Sequence, residues 1–376
     1  MDEEDLLALM TPAVAPRAVT LLVPAGLSLS SGRNRYDRQV VSGLRALGWQ
    51  VDVVLLDGSF PNPTDEALEQ VAGVLAERRD NSIIMVDGLA LGAMPEQVER
   101  VAHRLALVGL VHHLVAAETG LDGAAAVAVG AREGRALRAA TGLVASSFGT
   151  ARGIAGCGVP RHRIAVATPG TDPAPRAEGS RSREGARRST PVELLCVGSL
   201  IPRKGHDVLF DAVADLRLLR WHLTCVGSDA LAPDTVMALR EQIDISGLND
   251  AITLTGEVDD ATLERAYQSA DVFVLATRHE GYGAAVAEAL ARGIPVVSTM
   301  AGAIPELVGY SGGAIVPIDD TAALAAALET MVGDHAARAG LAAGALTQGA
   351  ALPRWTDTAL AVSEALVRFA APENRL

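Results

Sequence analysis

Residues 279 to 290 read His279-Glu280-Gly281-Tyr282-Gly283-Ala284-Ala285-Val286-Ala287-Glu288-Ala289-Leu290, a Glu-x7-Glu pair with two glycines after the first carboxylate. In such a turn Glu280 can accept hydrogen bonds from sugar hydroxyls. Glu288, about one and a half turns into the helix that follows, lies near where a ribose would fall. Gly281 and Gly283 leave the main chain bare. The N-terminus of the helix adds unsatisfied amides and the positive end of its dipole, which together make an anion site. The chemistry these residues suit is recognition of a nucleotide sugar. The plain alternative is an acidic helix start stabilised by its dipole, with a solvated glutamate further along.

Cations for a diphosphate occur in Ser199-Leu200-Ile201-Pro202-Arg203-Lys204-Gly205. Arg203 offers a planar fork and Lys204 a movable point charge. This is not the nucleoside triphosphate loop, which needs Gly-x4-Gly-Lys followed by Ser or Thr; a solvated helix start is the alternative reading. His112 and His113 follow an apolar run, where an imidazole can donate to a sugar hydroxyl or carry a proton. The pair has no carboxylate or cysteine at ligand spacing, so a zinc site is not expected.

These residues need elements to hold them. Val19–Val23, Val51–Leu56, Ser82–Val86 and Leu107–Val111 are short apolar runs separated by helix-period segments near 37 to 47, 64 to 79 and 96 to 105. That alternation predicts a doubly wound parallel sheet, with ligands at the carboxyl ends of its strands. The loops there include Ser30–Asp37, with Gly32, Asn34 and Tyr36, and Asp87–Ala90. Asn34 or Asp37 can also be read as an ordinary helix cap, and Ser146 as a cap for the helix after it. A second alternating unit begins at Glu193–Gly198 and continues through Trp221–Gly227, Ile252–Val258 and Asp271–Ala276, the run that leads into Glu280. Between the two units, residues 173 to 191 have the composition of a solvated tether.

A length of 376 residues suggests two domains, and 49% hydrophobic residues suffice for two cores. No apolar run reaches the roughly 18 residues of a membrane helix, the first residues are acidic, and a membrane partner is not expected. A net charge of −13 argues against nucleic acid. The three cysteines, Cys157, Cys196 and Cys225, lack metal-ligand spacing. Cys196 and Cys225 read as inert core residues, and the chain as cytoplasmic.

Taken together, the Glu280 to Leu290 segment and the Gly293-Ile294-Pro295-Val296-Val297-Ser298-Thr299 run after it resemble the signature of glycosyltransferase family 4, the retaining enzymes of GT-B fold. The resemblance is dense from Val192 to Leu328 and thinner before Val144. It implies two Rossmann-like domains facing across a cleft: an acceptor-side domain over 1–172, a linker over 173–191, a donor-binding domain over 192–350, and a C-terminal helix over 351–376 that returns to the first domain. It also implies roles. Glu280, Lys204, Arg203 and His112 would be catalytic. Gly32, Ser199, Gly256, Val258, Gly281, Tyr282, Gly283 and Glu288 would bind the donor. Asn34, Tyr36, Asp87 and His113 would face the acceptor. Ser199 departs from the family, which has Arg there, so either Arg203 supplies that charge or the site is one cation short. The expected reaction is retaining transfer from a UDP- or GDP-sugar to a small soluble acceptor, with no cofactor and no metal. A GT-B epimerase or phosphorylase, or an inactive nucleotide-sugar-binding protein, stays open.

Overall fold

The computed structural model describes all residues except 1–16, 26–31, 118–122, 181–189, 217 and 372–376, and the side chains of 32–34 and 117 also lie outside the description. Runs such as Ala106–Val111 and Val272–Leu275 are buried at every position, as expected of parallel strands covered by helices on both faces. The first sheet takes β1 (Ala18–Pro24), β2 (Gln50–Leu56), β3 (Ile83–Asp87), β4 (Ala106–Val111), β5 (Gly142–Ala145) and β6 (Ile164–Val166) in the order β2-β1-β3-β4-β5-β6. Its helices are α1 (Gly32–Ala46), α2 (Asp65–Ala76), α3 (Gly88–Ala93), α4 (Pro95–Val101), α5 (Gly123–Ala139) and α6 (Phe148–Gly156).

The second sheet contains β7 (Val192–Val197), β8 (Trp221–Val226), β9 (Ile252–Gly256), β10 (Val272–Leu275), β11 (Val296–Thr299) and β12 (Gly313–Val316), ordered β12-β11-β10-β7-β8-β9. Around it lie α7 (His206–Ala214), α8 (Pro233–Ser246), α9 (Asp260–Ser269), α10 (Ala284–Ala291), α11 (Ile304–Val308), α12 (Thr321–Gly333) and α13 (His335–Ala350). The order reverses between β7 and β10, so the loops leaving those two neighbours open onto one crevice. The last helix, α14 (Trp355–Ala370), packs on the first sheet. Its Val362, Leu366 and Phe369 join Leu21, Tyr36, Leu44 and Val108 in one core, and Trp49 Nε1 donates to Ser363 Oγ at 2.9 Å.

Three local readings change. The segment after β3 is not a loop: Asp87, fully buried, caps α3 by accepting from the Leu89 amide at 2.8 Å. Helix α1 starts at Gly32, so Asp37 lies inside it and is not its cap. The described part of the expected tether is docked, not solvated. The amides of Ala177 and Gly179 bond to the Arg292 and Gln268 carbonyls, Ser180 bonds to Asp271, and Ser180 is buried. Its amides find partners on the helices and turns around the second sheet, which composition alone does not reveal. Among the described residues no helix is long and apolar enough to cross a membrane.

Candidate active site

Because β7 and β10 are neighbours, the two loops that carry the expected chemistry are sewn together. The Arg278 amide donates to the Arg203 carbonyl at 2.8 Å. Arg203 Nη1 donates to the His279 carbonyl at 2.7 Å and stands 3.7 Å from Glu280 Oε1. Lys204 Nζ bonds directly to the same Glu280 oxygen, and the buried Thr277 hydroxyl lies 3.3 Å from it. Glu280 is 8% exposed. Burial pushes its carboxyl upward, but the Lys204 and Arg203 charges outweigh that and hold it below its ordinary value. Two cations thus share one buried carboxylate, and an incoming diphosphate can compete with Glu280 for Lys204. Helix α10 begins beside them at Gly283 with no side-chain cap, which leaves its first amides to a ligand.

The first sheet meets this crevice at His112, just beyond β4. Its Nε2 lies 3.1 Å from Asp37 Oδ1 and 3.4 Å from Asp87 Oδ2. Burial disfavours the charged ring, yet the two carboxylates prevail and raise the imidazole to about 9. His112 is therefore a cation at neutral pH, suited to donating a hydrogen bond and not to accepting a proton. No carboxylate lies at ligand spacing from the histidines in the sequence; Asp37 and Asp87 reach His112 from elements distant along the chain.

The sign of this linkage is testable. A folded value above the free value of about 6.5 contributes stability that is complete below that pH and lost as pH rises through about 9. We expect Asp37→Asn to reduce unfolding free energy most at low pH, by on the order of 2 kcal/mol. The gap should narrow between about pH 6.5 and 9 when denaturant midpoints are compared. A gap of constant size across that range would contradict the assignment.

Main chains of the two halves approach closely at Gly281. A Cβ at Gly281 would lie 2.3 Å from the His112 carbonyl oxygen, so only glycine permits this approach. That oxygen also accepts from Ser146 Oγ at 2.6 Å, while Ser147, not Ser146, caps α6. The His113 and His279 rings meet edge-on across the cleft, centroids 5.9 Å apart. Gly302, at φ +54°, passes so close to the Glu280 carbonyl that a Cβ would stand 1.6 Å from its oxygen. A third bridge joins the halves at Glu288. Tyr267 donates to its Oε2 at 3.0 Å, and Arg35 of α1 reaches Oε1 while also binding Asp172.

The structure thus brings Arg203, Lys204, Glu280, Gly281, Gly283, His112 and His113 together, with Glu288 one helical face away. Ser199 lies in the loop beneath them, next to Gly227. Gly256 ends β9 and accepts from the Gly227 amide at 3.0 Å, and Val258 packs half-buried on the second core. Tyr282 is buried in that core too, which pushes its hydroxyl up to about 12. Tyr36 is a correction. It is 2% exposed, donates to the Ala167 carbonyl at 2.7 Å and packs edge-on against His112, so it supports that ring from the core and does not face an acceptor. Asp87, fully buried, likewise meets His112, its Oδ2 3.4 Å from Nε2. Gly32 opens α1, the loop before it lies outside the described residues, and so does the Asn34 side chain. Arg35, Asp37 and Thr277 were not singled out as site residues. Arg35's partners stand 137 and 253 positions away, and no spacing signals them.

Residues 191–334 match the family model for glycosyl transferases group 1. Mannosylfructose-phosphate synthase of Agrobacterium fabrum is 33% identical over 123 residues, 31% of this chain and 27% of that protein. D-inositol 3-phosphate glycosyltransferase of Kineococcus radiotolerans is 30% identical over 226 residues, 54% of this chain and 51% of that protein. The matches therefore span about half or less of these relatives. Sucrose-phosphate synthase from Thermosynechococcus elongatus superposes with a TM-score of 0.77 at 21% identity, over 93% of this chain and 98% of that one. HepE of Anabaena, solved with UDP-glucose, gives 0.74 at 19%, over 93% and 99%. At these identities the structures carry the fold, which is GT-B.

Proposed function

We propose that this chain, whose residues 191–334 match the family model for glycosyl transferases group 1, is a family 4 enzyme that moves a sugar from a nucleoside diphosphate sugar to a small acceptor with retention at the anomeric carbon. The observation that carries this reading is the gathering of Arg203, Lys204 and Glu280 at the ends of two neighbouring strands, opposite the His112 cation of the other half. Residues 192–350 would hold the donor, residues 1–172 would present the acceptor, 173–191 would link them and the helix within 351–376 would tie the chain back to the first half.

Lys204, Arg203 and the α10 amides stabilise the leaving diphosphate, balancing its charge without a divalent ion. That diphosphate takes the proton from the acceptor hydroxyl on the face it leaves, so the configuration is kept. Glu280 and the His112 imidazolium bond the hydroxyls of the donor sugar, and Glu288 the ribose, once Arg35 gives way. Gly32 would lie over the diphosphate, and Gly256 and Val258 would flank the base. A UDP- or GDP-sugar fits this cradle, and UDP-glucose in HepE supports it. Two relatives, a mannosylfructose-phosphate synthase and a D-inositol 3-phosphate glycosyltransferase, carry small phosphorylated compounds in their names, which supports a small soluble acceptor. Three free cysteines accord with a cytoplasmic setting.

The test is mass spectrometry of products from UDP- and GDP-sugars offered with a panel of small polyols and sugar phosphates. We expect a glycosylated acceptor with the donor's anomeric configuration. An epimerised donor, or sugar phosphate formed without an acceptor, would point to the epimerase or phosphorylase reading. Donor binding without turnover on any acceptor would point to a binding protein.

A further inference from the structure

Beneath the cation loop lie three side chains that the cleft chemistry does not use. Cys196 of β7 and Cys225 of β8 are register partners on adjacent parallel strands, and His206 is the first residue of α7. All three are at most 2% exposed. One sulfur from each cysteine and one ring nitrogen of the histidine all lie within 4.8 Å of one another, with Cys196 Sγ 3.6 Å from His206 Nε2. We propose that Cys196, His206 and Cys225 form a buried site for a thiophilic closed-shell metal ion, Zn2+ or Cu+.

Distances decide between this and the other chemistry open to two cysteines. Metal bonds of about 2.3 Å to sulfur and about 2.0–2.1 Å to imidazole nitrogen, near the tetrahedral angle, set the two ligand atoms about 3.6 Å apart. That matches the observed separation of 3.6 Å. Facing residues on neighbouring parallel strands keep their Cβ atoms close to the strand spacing of about 4.8 Å, beyond the mean of about 3.8 Å that a disulfide needs. An ion between the sulfurs takes up that extra separation without strain. Thiolate and imidazole select Zn2+ or Cu+ over the hard ions Mg2+ and Ca2+. Two thiolates also offset the ion's charge, which a dry core requires.

The position gives the site a consequence. Cys196 lies two residues before Gly198, where the cation loop begins, and His206 directly follows Gly205, where it ends. One ion would clamp both ends of the segment that carries Arg203 and Lys204, and would fasten it to β8 through Cys225.

The test uses the whole purified chain, reduced, loaded separately with Zn2+ and with Cu+, gel-filtered and assayed for metal by mass spectrometry. We expect about one equivalent of one of the two ions to be retained, with a raised melting temperature. Co2+ should give sulfur-to-metal charge-transfer absorption, and the bound ion should shield Cys196 and Cys225, but not Cys157, from alkylation. Cys225→Ser should lower metal affinity by about tenfold or more. The alkylation pattern of the unaltered chain keeps the test decisive if that variant fails to fold. The proposal is overturned if the chain retains neither ion, Co2+ gives no sulfur charge transfer, and added metal leaves the alkylation of all three cysteines unchanged, because the cluster is then a thiol–imidazole hydrogen bond only.

Discussion

Alanine at Lys204 is expected to lower turnover by about 10²- to 10³-fold, the loss typical of removing one donor from an oxyanion site. The side chain has two partners in this account. With a donor present it faces the diphosphate, and without one it pairs with Glu280, whose side chain is only 9% exposed. Removing it therefore also leaves a buried carboxylate with Arg203 at 3.7 Å and Thr277 as its remaining neighbours. A stability loss on the order of 3 kcal/mol should accompany the catalytic one. The two effects separate in the double variant Lys204→Ala with Glu280→Gln. Neutralising the orphaned carboxylate should recover most of the stability, whereas turnover should stay low because the diphosphate still lacks its cation. Steady-state turnover and denaturant midpoints on the three proteins check this. Near-normal turnover in Lys204→Ala would show that the cation acts elsewhere.

Gly281→Ala is expected to cost catalysis without harming either core. The new Cβ would meet the His112 carbonyl oxygen at 2.3 Å and its carbon at 3.2 Å, both main-chain atoms held by Ser146 and Thr150. Relief requires the two halves to separate by about 1 Å, and a misplacement of that size can cost about 10² in rate. Gly281 does not have the left-handed backbone seen at Gly283, so the effect would be steric and not a matter of local strain. We expect kcat/KM to fall about 10²-fold with thermal unfolding little changed. A value within twofold of the unaltered protein would mean that the approach of Gly281 to His112 does not position the reaction.

The architecture was legible because parallel strands buried on both faces announce themselves as apolar runs, and the glycine turns after them mark the binding edge. Glu280 and Lys204 stand out in the sequence the same way, each in a loop following such a run. What spacing could not convey was pairing across the chain. Lys204 and Glu280 are 76 positions apart, and their direct contact follows from β7 and β10 being neighbours, a property of strand order. The family resemblance sets Tyr36 facing the acceptor, yet helix α1 turns it into the core. Arg35, its neighbour, goes the other way and reaches Glu288. One position along a helix moves a side chain by about 100°, so the start of α1 decided which residue entered the cleft. Cys196 and Cys225 were read as inert because strand interiors favour small apolar side chains. Their register, with His206 at the next helix start, is visible only once the sheet is assembled.

In the proposed reaction one diphosphate is held by Arg203, Lys204 and the turn from Gly281 to Gly283. Titration calorimetry of UDP and GDP against the unaltered chain and against Arg203→Ala and Lys204→Ala tests this most directly. One of the two nucleotides should bind the unaltered chain, and each variant should weaken that binding by about tenfold or more, since each removes a charge-assisted contact worth roughly 1.5–3 kcal/mol. Equal affinities in all three proteins, or no binding of either nucleotide to the unaltered chain, would contradict it.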